Sequence, residues 1–86
     1  MTEKIIIRMR ESDIIARLTA RTTSREIYEE LQQHGQSSRS IAGRLFFFEA
    51  GDDGIDVWKG SEYYDSVTSL DEIRWLIEEE LLYGVH

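Results

Sequence analysis

The chain has no cysteine, which excludes disulfides, thiolate metal sites and a cysteine nucleophile, and suits a reducing compartment. Histidine is almost as scarce. Only His34 and His86 could act as imidazole bases near neutral pH, and His86 is the final residue, where fraying is normal. Long apolar runs are missing as well: Ile5 to Ile7, bracketed by Lys4 and Arg8, falls far short of a signal-peptide core or a membrane span. A soluble cytoplasmic protein is expected. At 86 residues the chain should form a single domain, 1–86, too small to host a large internal cavity.

Basic charge is in short supply in one half only. Residues 1–44 carry eight Lys/Arg against six Asp/Glu, net +2, whereas residues 45–86 carry two against eleven, net −9, giving the overall −7. The acidic half should repel nucleic acid and attract basic protein surfaces.

What is present centres on the stretch from Arg44 to Lys59. Two short apolar runs flank a Gly/Asp cluster containing Asp53-Gly54, a local hairpin signal. Side chains alternate along a strand, so Phe46 and Phe48 should face one side and Leu45 and Phe47 the other, with both sides needing cover. Ahead of it, Lys4 to Arg10 alternates as a strand. Ile14 to Arg21 alternates again, placing Ala16, Leu18 and Ala20 opposite Arg17 and Arg21, although Ile14, Ile15 and Leu18 also fit a short helix; strand is preferred. Thr23-Ser-Arg-Glu26 has the form of a capping box, with a helix to about His34 and Gly35 ending it. His34 then sits in the last turn, where the helix dipole favours its charged form.

Residues 36–43 read as a flexible polar connector. After the central hairpin, Gly60 to Ser66 is a loop or short strand running into Val67. Ser69-Leu-Asp-Glu72 is a second capping box, followed by a helix to about Tyr83. The two boxes lie about 45 residues apart, which suggests a ββα unit used twice. The expected fold is α+β in the order ββαββα: two hairpins in one antiparallel sheet, with both helices packed on it.

On the second helix, Leu70, Ile73, Leu76, Ile77 and Leu81 share one face. Trp75 and Leu82 fall on the opposite face, flanked by Asp71, Glu78 and Glu79, while Glu80 intrudes on the apolar stripe. An outward tryptophan rimmed by carboxylates has the chemistry of an interface anchor for a basic partner. Asp52 and Asp53 at the hairpin turn could extend that acidic surface. Their cluster with Glu49 and Asp56 does not follow the spacing of an EF-hand loop, so neither a metal nor a cofactor is expected. Catalysis is not expected either.

The leading expectation is therefore a non-enzymatic, acidic protein-binding module, an inhibitor or adaptor that docks on a basic surface, with DNA mimicry and homodimerisation as variants. In size and composition the chain is similar to the tiny acidic inhibitors made by phages and mobile elements. The alternative is a nucleic-acid-binding regulator using Arg8, Arg10, Arg17 and Arg21 along a phosphate backbone. A basic strand followed by two helices resembles ribbon-helix-helix DNA-binding proteins, though residues 12–22 are short for their first helix and their architecture has no aromatic hairpin.

Overall fold

The computed structural model describes residues 11–84, which run in the order helix, four strands, helix. Helix α1 spans Glu11–His34; strands β1 (Gln36–Ile41), β2 (Arg44–Ala50), β3 (Ile55–Lys59) and β4 (Glu62–Val67) follow, and helix α2 (Leu70–Tyr83) closes the fold. The class is α+β, as expected, but the order is not ββαββα and no ββα unit repeats. The strand expected over residues 4–10 lies outside the described residues.

Residues 14–21, expected as a strand, belong to α1, and the reason lies in which side chains are buried. Ala16, Ala20, Ser24, Ile27 and Leu31 are the buried positions of this helix, a stripe spaced by three and four residues. The larger Ile14, Ile15 and Leu18 are exposed. Small side chains form the docking face because they let α2 approach closely, so apolar size pointed to the wrong periodicity. With no proline in the chain, nothing interrupts the helix across Thr22–Ser24. The Thr23–Glu26 box consequently lies inside α1 and caps nothing. The Ser24 hydroxyl instead donates to the Arg21 carbonyl, one turn back.

Residues 36–41 of the expected connector form β1, and Ala42-Gly43 joins it to β2. Both turn residues have positive φ, 52° and 79°, matching the twist of a two-residue hairpin. The sheet is an antiparallel meander, β1-β2-β3-β4, leaving β1 and β4 at its edges. The hairpin signal at Asp53-Gly54 corresponds to the β2–β3 loop. Gly54 is required there, since a Cβ would stand 2.9 Å from the Val67 carbonyl oxygen and φ is +149°.

Phe46 and Phe48 are fully buried with Val57, facing Ile27, Ile73 and Ile77 from the helices. Among the described residues no layer covers the opposite sheet face: Leu45 is exposed, and Phe47, Trp58 and Tyr63 shield one another at ring separations of 5.9 and 5.7 Å. Of the two faces expected to be covered, the described helices cover the one that carries Phe46 and Phe48. Tyr28, Leu31 and Gln32 of α1 lie near Thr68, just before α2, whereas Arg17 and Arg21 lie near Arg74 and Glu78 further along it, so the helices run antiparallel. A 24-residue helix is about 36 Å long against about 20 Å for a six-residue strand, so the first turns of α1 extend past the sheet with α2 as their neighbour.

Candidate functional site

The second capping box forms as read. Ser69 is the N-cap of α2, its hydroxyl accepting from the Glu72 amide, and the Glu72 carboxylate reaches back to accept from the Thr68 amide and hydroxyl. These donors, chiefly the Thr68 amide, hold the Glu72 carboxyl below its ordinary range. The cap sets the direction in which α2 leaves the sheet, so that one flank of the helix runs beside strand β4.

Between that flank and β4 lies a cleft of about 340 Å³, lined by Tyr64, Asp65, Ser66 and Val67 from the strand and by Glu72, Trp75, Leu76 and Glu79 from the helix. Trp75 is 56% exposed, while Leu76 beside it is buried and provides an apolar base. Among the described residues the cleft walls hold three carboxylates and no basic side chain. Asp65 accepts the Ser66 amide at 2.7 Å, Glu72 is engaged at the cap, and Glu79 takes part in no ion pair with a described residue. Residues 62–66 are all exposed, and among the described residues β4 has a strand neighbour on one side only, with backbone donors and acceptors on the other.

The far end of the cleft is fixed by the residue that broke the apolar stripe. Glu80 is 4% exposed and meets the Lys59 ammonium at 3.0 Å, while the Tyr64 hydroxyl donates to the same carboxylate oxygen at 3.3 Å. The Lys59 ammonium also lies over the Tyr64 ring, 4.6 Å from its centroid, and 5.5 Å from that of Phe46. Burial, followed by the charge of Glu80, raises the Tyr64 pKa, so the phenol remains a donor. At the other edge of the sheet, α1 is held to β1 by Arg39, whose guanidinium donates to both oxygens of Glu30 at 3.1 and 2.7 Å. That pairing, aided by the Ser37 hydroxyl, lowers the Glu30 pKa.

The expected partner-binding residues divide. Trp75 and Glu79 line the cleft; Asp71 stands beside it, 3.6 Å from Arg74. Glu78 faces the opposite flank of α2, towards Arg17 and Arg21, and Leu82 is half-buried rather than turned fully outward. Asp52 and Asp53 are exposed in the β2–β3 loop and are not among the cleft residues. Asp65 and Tyr64 were missed because their placement depends on the register of β4, which is shifted at Val57/Trp58. Arg8 and Arg10 lie outside the described residues. Arg17 and Arg21 sit on a helix, and neither pairs with the acidic half: the ion-paired cations among the described residues are Arg39, Lys59 and Arg74.

Among the described residues no group of three potential ligands is placed to hold a metal, and no helix is long and apolar enough to cross a membrane. No family model, curated protein or solved structure matches the chain.

Proposed function

We propose that this protein is a non-enzymatic binding module whose β4–α2 cleft receives an extended, lysine- or arginine-rich segment of a larger protein, making it an inhibitor or adaptor. The observation that carries the reading is the exposed Trp75 indole, set beside the edge strand β4 among Asp65, Glu72 and Glu79, with no cation among the described residues lining the cleft. A segment adding to β4 gains main-chain hydrogen bonds, and its alternate side chains enter the cleft. A basic side chain there meets three carboxylates and an indole face, a cation–π contact worth about 0.5–2 kcal/mol depending on desolvation. The surplus acid of residues 45–86 speeds encounter with such a partner, and this dependence weakens in salt. If the partner handles nucleic acid, the same charge makes the module a competitor for its phosphate-binding surface.

The test uses the Trp58→Phe variant, in which Trp75 is the sole tryptophan, titrated with an extended Lys/Arg-rich peptide. A saturable change in Trp75 emission is expected, with affinity reduced about tenfold by Glu79→Gln or Asp65→Asn, as for loss of one charge-assisted contact. Trp75→Ala should abolish capture and leave the thermal midpoint nearly unchanged. No saturable change at low salt, or a collapse of stability in Trp75→Ala, overturns the reading. Self-association through the same edge would instead appear as dimerisation sensitive to Trp75→Ala, and would replace the heterologous partner with a second copy.

A further inference from the structure

On the other flank of α2 the electrostatics reverse. A groove of about 250 Å³ runs between the helices, lined by Arg17, Leu18 and Arg21 from α1 and by Arg74 and Glu78 from α2. In a chain of net charge −7, three guanidiniums converge on one small space. Arg17 and Arg21, one turn apart, make no ion pair among the described residues. Arg74 is only loosely engaged: its nearest carboxylates are Asp71 at 3.6 Å and Glu78 at 3.9 Å, both beyond hydrogen-bond length, and its Nε–H is buried with no acceptor. A guanidinium so loosely paired keeps donors for an incoming oxyanion.

We infer that this groove binds a compact phosphate group, either free phosphate or the terminal phosphate of a small phosphomonoester, held by Arg17 and Arg21 from one helix and Arg74 from the other. Guanidinium forks match the oxygens of phosphate, and Leu18 offers an apolar surface to the remainder of an ester. Glu78 on the same wall opposes an extended polyanion laid along the groove, so a single phosphate is favoured over a nucleic-acid backbone. Such a ligand would bridge the two helices. The site is independent of the peptide cleft and can fail or succeed separately.

The experiment follows the Nε–H resonances of the arginines in the full chain by NMR at low ionic strength, during titration with inorganic phosphate, with adenosine 5′-monophosphate and with a single-stranded oligonucleotide. Saturable shifts of Arg17, Arg21 and Arg74 with phosphate are expected, while Arg25 and Arg44 respond only weakly. Tighter binding of the monophosphate than of phosphate identifies an ester as the ligand; equal affinities identify the free ion. Arg17→Gln and Arg21→Gln, at exposed positions that leave folding intact, should each weaken binding about tenfold, the loss of one charge-assisted hydrogen bond. Glu78→Gln should tighten it by removing the opposing carboxylate. Unsaturable shifts shared equally by Arg25 and Arg44, indifference to Arg17→Gln and Arg21→Gln, or binding of the oligonucleotide alone overturns the inference.

Discussion

Glu80 shows how much a single residue can signal in a sequence and how little of the answer it contains. Its position in the apolar stripe of α2 marks it as an anomaly on spacing alone, but Lys59 and Tyr64, which both meet its Oε2 while Oε1 is buried without a hydrogen-bond partner among the described residues, are 21 and 16 residues away on strands whose register the sequence does not specify. Breaking a buried pair leaves a stranded charge, whereas replacing both partners with apolar groups is tolerated. Lys59→Met alone should therefore cost about 3 kcal/mol, at the low end for such pairs because the Lys59 side chain remains 26% exposed. Lys59→Met with Glu80→Leu should recover most of that loss. Chemical denaturation of the two variants measures the difference directly; equal destabilisation would show that the pair does not act as a unit. Trp75, by contrast, was legible from helical spacing alone, because residues opposite a well-defined apolar face have nothing to pack against. Leu82, the penultimate residue of α2, did not follow that rule and is half-buried.

At the level of elements, legibility tracked local chemistry. The Ser69–Glu72 box and the alternation of Leu45 to Phe48 were readable because each is decided by residues within a turn or a strand of one another. The first half of helix α1 was not, since its buried stripe there is built on Ala16, Ala20 and Ser24, whose small size has meaning only once α2 is placed against them, whereas its end at His34 and Gly35 was readable. The same distinction governs the response to acid. Glu72 and Glu30 both have carboxyl pKa values below the ordinary range, so each contributes stability that is fully present above the unfolded-state value, about 4.3, and is lost as the pH falls through the lower folded-state values. The thermal midpoint should therefore decline below about pH 4.3, and Glu72→Gln should flatten that decline while lowering stability at neutral pH. A pH profile unchanged by Glu72→Gln would show that the cap carboxylate contributes nothing to the acid response.

Across the whole molecule, the two signs of charge are sorted onto two sides of α2. Among the described residues the acidic cleft contains no arginine or lysine, and the exposed Arg17 and Arg21 of α1 face a separate groove instead of neutralising it. Charge imbalance between the halves was visible in composition; that the halves would not cancel each other depended on α1 running antiparallel to α2, which places Arg17 and Arg21 against Arg74 and Glu78. Under the proposed function, the described residues present an acidic cleft beside the edge strand β4 for a basic segment to enter. The most direct measurement is amide mapping by NMR with a Lys/Arg-rich peptide on the full chain. The account predicts saturable shifts concentrated in Tyr64–Val67 and Glu72–Glu79, including the Trp75 indole N–H. Shifts confined to the bare sheet face around Phe47 and Trp58, or none at low salt, would contradict it.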